Sequence, residues 1–278
     1  MTETGIAASQ VVQHPAEIAA AYDDRWRAYA WHIIPGVPRA PLLNMALDEV
    51  LTHRVGRGER KPTIRIWGWD RSCIVLGRFQ SVRNEVDEAA ATADNVEIVR
   101  RVSGGGAMFI EPEGAITYSI YAPEEIARGM NFPESYAFFD GWVVAALREL
   151  GVEARYEPLN DITSTGGKIG GAAQARRGGA ILHHTTMAYQ MNVPRMLKVL
   201  RIGKEKLSDK GVQSADKRVG PLRQQTDLPR DVIIHHLTGY FGARYGLTED
   251  TVTPKELAEA NRLIEAQFGT DGWKYFLP

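Results

Sequence analysis

The chain has 278 residues, 44% hydrophobic and 24% charged, with one cysteine and a formal charge of −1 from 33 basic and 34 acidic side chains. One cysteine excludes an internal disulfide, and a balanced charge argues against general nucleic-acid or anionic-membrane binding. No run approaches the roughly 20 apolar residues that span a bilayer, and Met1 to Gly5 has neither a basic start nor an apolar signal core, so a cytoplasmic protein is expected.

In chain order, residues 1–27 read as an N-terminal extension and 28–278 as one main domain, a length sufficient for a large core. Pro41 opens a helix in which Leu43, Leu47, Val50 and Leu51 share one face, with Asn44 and Asp48 partly on the other. Ile64 and Ile66 alternate as in a strand, and Cys73 to Leu76 is an apolar run that predicts a buried strand. Asn84 with Asp87 is expected to cap an alanine-rich helix. Val96, Ile98 and Val99 predict a strand, as do Ala115 to Tyr121.

A helix is expected from Asn131 or Ser135 through Trp142 and Leu147 to a stop at Gly151, then a strand in which Met187, Tyr189 and Met191 alternate. Arg201 to Arg223, rich in Lys, Gly and Ser, reads as a loop able to close over a site, with Lys204, Lys206 and Lys210 within it. Helices follow near Asp231–Tyr245 and Pro254–Phe268. No internal repeat appears. Alternating helix and strand signals give the α/β class and leave the topology open, a doubly wound sheet included.

Two glycine-rich segments carry the chemistry. The first, Arg100-Arg101-Val102-Ser103-Gly104-Gly105-Gly106-Ala107, joins two predicted strands. Glycine lets successive N–H groups turn into one concavity, and guanidinium forks onto phosphate or carboxylate oxygens, so the segment suits an anion. It is neither a P-loop nor a dinucleotide-binding turn, because no lysine with Ser or Thr follows and no G-x-G-x-x-G opens a helix. Read alone, it also fits a hairpin with solvated arginines. The second segment runs Asn160-Asp161, then Gly166-Gly167-Lys168-Ile169-Gly170-Gly171-Ala172-Ala173, then His183-His184-Thr185-Thr186. Lys168 among small residues offers a compact positive charge that a ligand backbone approaches closely.

Asp161 fits a magnesium ligand, a ribose contact or an ordinary turn carboxylate. Adjacent histidines on a strand face opposite sides and no third ligand lies at useful spacing, so His183 and His184 are not expected to hold a metal, and one of them is expected to face the ligand.

In the order R-R-x-S-G-G-G-A, N-D, G-K-x-x-G-x-A and H-x-T, the segments resemble the catalytic core of the lipoate-protein ligase A family. Asn44 to Glu49, Leu76 to Gln80 and Lys206 to Ser214 extend the resemblance, which covers roughly residues 28 to 276. It implies an α/β (α+β) fold with a mixed sheet flanked by helices, of the biotin and lipoate ligase, class II synthetase-like type. It implies ATP-dependent activation of lipoate to lipoyl-AMP, with magnesium accompanying ATP, and transfer to a lysine of an acceptor lipoyl domain.

By the same resemblance, Lys168 is the catalytic residue. Arg101, Ser103, Gly104, Gly105, Gly106, Ala107, Asn160, Asp161, Gly171, Ala173 and His184 form the substrate and adenylate site. Family members often carry a C-terminal accessory domain that this chain is not expected to contain, so a separate subunit is expected to supply it. The chain departs from the family pattern at Gly170 and Ala172, at Thr185, and at Ile110-Glu111, where a His-Asp pair is usual. Some relatives instead transfer octanoyl groups without ATP through a cysteine thioester, a role for which Cys73 in a buried strand is unsuited. A noncatalytic subunit that binds lipoyl domains is a further alternative.

Overall fold

A computed structural model describes residues 18, 21–201 and 219–277. Its centre is an eight-stranded mixed sheet in the order β13-β1-β3-β8-β12-β11-β10-β9. These strands are β1 (His32–Ile34), β3 (Thr63–Ile66), β8 (Ala115–Pro123), β9 (Arg155–Glu157), β10 (Asp161–Ser164), β11 (Gly167–Arg177), β12 (Ala180–Ala188) and β13 (Thr248–Glu249). The β13–β1 and β1–β3 pairs are parallel, and the rest of the sheet is antiparallel. A three-stranded sheet, β6-β5-β7, combines β5 (Cys73–Leu76), β6 (Glu97–Arg100) and β7 (Met108–Ile110). Two short strands, β2 (Pro38–Arg39) and β4 (Gly68–Trp69), pair beside them. The expected mixed sheet flanked by helices is what the chain forms.

Helices cover both faces of the large sheet, which is why β8 and β12 are buried along nearly their whole length. Along β8, Ile116, Tyr118, Ile120 and Ala122 pack against α5 (Phe132–Glu149) and α7 (Arg230–Tyr245). Ala115 and Tyr121 turn to the opposite face, against α2 (Pro41–Gly56). Period-two alternation therefore sends residues 115, 117, 119 and 121 toward α2, and β12 obeys the same rule with residues 182, 184, 186 and 188. The small sheet packs on α3 (Val82–Glu85), α4 (Glu88–Ala93) and α6 (Val193–Val199) around Ile74, Leu76, Phe109 and Met196.

Local signals set several boundaries. Asn131 and Glu134 close a reciprocal capping box on α5, each side chain accepting from the other's backbone N–H, an arrangement that contributes about 1 kcal/mol. Only Asp87 caps α4, accepting from Ala90 N; Asn84 lies inside α3. The strand expected through Met191 ends at Ala188, because Tyr189 N and Gln190 N both turn back to Gly114 O. The helix from Pro254 (α8, Pro254–Leu263) continues as a π-helical turn over Ile264–Phe268, then α9 (Asp271–Lys274) follows. Of the loop expected over Arg201 to Arg223, residues 202–218, with Lys204, Lys206 and Lys210, fall outside the described residues; Val219 bridges Lys168, and Leu222–Gln224 forms a 3-10 turn.

The stretch before residue 28 contributes to the main core. Trp26, in α1 (Asp23–Arg27), stacks on Phe138 at 4.6 Å between ring centroids and meets Phe241 edge-on at 5.3 Å. Ile18 belongs to the same cluster. Among the described residues no helix is long and apolar enough to cross a membrane.

Candidate active site

A cavity of about 320 Å³ opens between the α2 side of the large sheet and the small sheet. One end is walled by Met45, Trp67, Trp69 and Val75, with Thr117, Arg101 and His184 beside them. The other is lined by Glu111, Gly114, Gln190 and Met191. Along β12 the lining residues His184, Thr186 and Ala188 mark successive levels, spanning about 13 Å at the rise of a strand.

Lys168 sits toward the Ala188 level, because Gly170 pairs with Met187 across β11 and β12. Its Nζ lies 2.7 Å from Asp161 Oδ1, and both side chains are partly exposed. The β10–β11 register shifts between Ile162 and Thr163, where Lys168 pairs with Thr163 and Gly170 with Ile162, leaving Ile169 as an extra residue. Without that bulge, Lys168 and Gly171 would point to opposite faces. With it, Lys168 comes back over the face of Gly171, where a Cβ would stand 3.4 Å from Nζ. Asn160 clamps the neighbouring strand, its Nδ2 donating to Ala172 O at 2.6 Å while Ala172 N donates to Asn160 O at 2.8 Å. Asn160, Gly171 and Ala173 all line the cavity.

The glycine loop adjoins the same cavity through Gly105, Gly106 and Ala107, but its arginines act differently from an open anion cradle. Arg101 is buried, and its guanidinium donates to Val75 O at 3.1 Å, Gly104 O at 2.6 Å, Gly106 O at 2.9 Å and Ser103 Oγ at 3.1 Å. Burial lowers its pKa to about 10, so it remains a cation at neutral pH. Arg100 likewise donates to the carbonyls of Gly77, Arg78, Gln80, Trp273 and Lys274. Arg101 braces the glycine loop from inside through the Gly104 and Gly106 carbonyls, while Arg100 ties the neighbouring Gly77–Gln80 turn to the carbonyls of Trp273 and Lys274. Gly105 adopts φ +91, and Gly77 lets the loop approach, since a Cβ there would stand 2.0 Å from Gly105 O.

His184 and His183 diverge as a strand requires. His183 is fully buried behind the sheet, with Nε2 at 2.9 Å from Asp140 Oδ1. His184 faces the cavity, with Nδ1 at 2.8 Å from Asp48 Oδ2 and Nε2 at 2.6 Å from Ser103 Oγ. The carboxylate only accepts, so Nδ1 carries the proton and Nε2 accepts from the Ser103 hydroxyl. Burial lowers the His184 pKa, partly opposed by the Asp48 hydrogen bond. Asp48 Oδ1 also accepts from Tyr121 OH at 2.5 Å, Ser119 Oγ at 3.0 Å and Arg65 Nη2 at 3.2 Å. Burial pushes the Tyr121 hydroxyl well up from its ordinary value.

Asp48 and Arg65 are the residues the sequence reading missed. The available signal was Asn44 and Asp48 at i and i+4 among the apolar residues of the helix's first half, which places both on one face, and an arginine between Ile64 and Ile66. Cys73 is fully buried in β5, and burial raises its thiol pKa well above normal. Among the described residues no group of three His, Cys, Asp or Glu side chains is placed to hold a metal ion.

The lipoyl protein ligase A/B catalytic domain matches residues 40–242. The octanoyltransferase LipM of Symbiobacterium thermophilum is 30% identical over 276 residues, covering 87% of this chain and 97% of that protein. A bipartite lipoate protein ligase solved with its E2 lipoyl domain, from Thermoplasma acidophilum, superposes with a TM-score of 0.78 at 27% identity, covering 90% of this chain and 98% of that one. A lipoate-protein ligase A with ATP bound superposes equally well, TM-score 0.78 at 25% identity, over 90% of this chain and 100% of that one. The chain therefore belongs to the lipoyl protein ligase A/B catalytic-domain family, enzymes of lipoyl and octanoyl attachment.

Proposed function

We propose that this chain activates lipoate, or a similar medium-chain acid, with ATP and passes the acyl group to a lysine of an acceptor lipoyl domain. The observation that carries the reading is the Lys168–Asp161 pair, 2.7 Å apart at the edge of a cavity whose far end is apolar. An acyl chain lying toward Trp67 and Trp69 would present its carboxylate at the Lys168 level. There the carboxylate oxygen would attack the α-phosphate of ATP, forming the mixed anhydride and expelling pyrophosphate. Lys168, released from Asp161, would stabilise the charge gathered on both partners. The acceptor amine would then attack the acyl carbon, forming the amide as AMP departs and the amine loses its proton.

Ser103 and the N–H groups of Gly104 to Gly106, with Ala107, would line the adenylate, and Gly171 and Ala173 would let it approach without steric conflict. Asp161 would give magnesium one oxygen alongside the phosphates, a donor set that suits an ion arriving with ATP. The T. acidophilum relative is bipartite, which supports a separate accessory subunit here as well.

A second reading, ATP-independent octanoyl transfer, is favoured by the LipM relative. Against a cysteine route stands the full burial of Cys73, the chain's single thiol. The deciding experiment is the intact mass of an apo lipoyl domain incubated with the chain, in four reactions: lipoate with Mg-ATP, lipoate without ATP, an octanoyl-carrier thioester without ATP, and preformed lipoyl-AMP. A lipoyl gain that requires ATP supports the ligase. Gain only from the thioester supports the transferase and sinks the ligase. Gain only when lipoyl-AMP is supplied points to a missing subunit for activation.

A further inference from the structure

Thr117, Thr186 and Gly171 form one row across three strands of the large sheet. Thr117 on β8 pairs with Thr186 on β12, which pairs in turn with Gly171 on β11. Residues directly opposite one another share a face of the sheet, and all three line the cavity. Lys168 Nζ closes the row, since a Cβ on Gly171 would stand 3.4 Å from it. Thr186 is therefore the β12 side chain beside the ammonium, because opposed Cβ positions lie about 4.5–5.5 Å apart.

The two hydroxyls are joined to each other, Oγ1 to Oγ1 at 3.2 Å, and Trp69 Nε1 donates to Thr117 Oγ1 at a longer 3.4 Å. Each hydroxyl carries a single hydrogen, so the bond between them uses one of the pair and leaves the other. Among the described residues that second hydrogen has no acceptor. Thr117 is 3% exposed, whereas Thr186 is half-buried at the cavity. The order Trp69 to Thr117 to Thr186 engages the buried hydrogens and places the unspent one on Thr186, where the cavity is open. A hydroxyl that accepts from a donor upstream is itself polarised as a donor, so the chain strengthens the last O–H.

We propose that Thr186 is a catalytic residue of acyl transfer, donating its hydroxyl hydrogen to the acyl carbonyl oxygen, with Thr117 as its positioning residue. The proposal rests on the reading that this chain passes an acyl group to an amine, and it holds for an adenylate and a thioester donor alike. When a carboxylate lies against Lys168, one oxygen attacks the phosphate and the other, on the Thr186 side, remains as the carbonyl oxygen. In transfer the lysine amine adds to the carbonyl carbon, the C–N bond forms and the C=O electron pair moves onto that oxygen. Collapse restores the carbonyl and breaks the bond to AMP or to the carrier sulfur, while the amine proton passes to water or to the thiolate. An O–H held beside the oxygen stabilises its charge at the peak and gives up no proton.

The test is transfer by the full chain to an apo lipoyl domain from preformed lipoyl-AMP and from an octanoyl-carrier thioester, neither of which needs ATP, followed for each donor that the wild-type chain uses. Thr186→Val keeps the branched shape without the hydroxyl and should lower kcat by about 10²-fold, with the KM for the donor within about threefold, the pattern of an interaction made only in the transition state. Thr186→Ser, which restores the O–H, should bring kcat back to within about fivefold of wild type. Thr117→Val should lower kcat by about 3- to 10-fold alone and add nothing in the Thr186→Val background, whereas a residue that only packs the sheet would lower both equally. A kcat loss under about tenfold in Thr186→Val, or no recovery in Thr186→Ser, overturns the proposal while leaving acyl transfer standing. Thr186→Ala gives the same comparison where the valine variant does not fold. Transfer from neither donor by the wild-type chain overturns acyl transfer itself and this proposal with it.

Discussion

Asp48 Oδ2 stands 2.8 Å from His184 Nδ1, joining a helix near the start of the chain to a strand 136 residues later. Through the other ring nitrogen, 2.6 Å from Ser103 Oγ, the same carboxylate orients the first residue of the glycine loop. The loop is thus held by a buried polar chain, Asp48 to His184 to Ser103, as well as by the Arg101 guanidinium.

Asp48→Ala should be the most damaging single substitution in this chain of contacts. It leaves the Arg65 guanidinium, 2% exposed, without its carboxylate, a loss of about 3–5 kcal/mol. Asp48→Asn, which keeps an acceptor for Tyr121 and Ser119, should cost less. Chemical denaturation measures both, and a loss below about 1 kcal/mol for Asp48→Ala would remove the hub role.

Acid should loosen the same element through His184. Its folded pKa is depressed below the usual 6.5 by burial, so below that value the unfolded chain binds more protons than the folded one and stability falls with pH. The contribution is complete above pH 6.5 and is lost as pH drops through the folded pKa. His184→Gln should flatten the Tm decline below pH 6.5 relative to the wild type, and parallel declines would refute the assignment.

Lys168→Ala should lower lipoate-dependent pyrophosphate release by at least about 10²-fold, the scale for removing one preorganised charge. Its side chain is 44% exposed, so thermal stability should hardly move. Activity within tenfold of wild type would show that the charge lies elsewhere.

Gly77→Ala tests the loop braced by Arg101. The new Cβ would stand 2.0 Å from Gly105 O, and relief requires backbone movement costing about 1–3 kcal/mol. The expected signature is a lower Tm together with a raised KM for the acid. An unchanged KM would separate the loop from substrate binding.

Cys73 should resist iodoacetamide at pH 8 in the folded protein and react in denaturant, because burial raises its pKa and closes access. Cys73→Ala should retain ATP-dependent lipoylation at the cost of about 1–2 kcal/mol of packing. Complete loss of transfer with an intact fold would restore a thioester route.

Much of the architecture was legible because its signals are local. Pro41 and Asn131 mark helix starts because a proline suits the first helical position and an asparagine caps it, and the apolar runs at Cys73 and Ala115 announce buried strands; the sequence reading missed the Glu134 half of the box. The motif residues Ala107, Asn160, Lys168, Gly171, Ala173 and His184 do meet around one cavity. The opposite facing of His183 and His184 follows from strand pleat alone.

What the sequence by itself determined is therefore the set of elements, the family to which the motifs point and the side of the sheet each strand residue takes, since these depend on neighbours along the chain. Only the tertiary structure decided the partners. Arg100 and Arg101 turned to the carbonyls of their own loop and its neighbours instead of to solvent, because burial demanded that every guanidinium donor find an acceptor. The bulge at Ile169 placed Lys168 over Gly171, and β12 beside β8 brought His184 and Ser119 together on Asp48. Such pairings depend on register between distant segments, which no local pattern encodes.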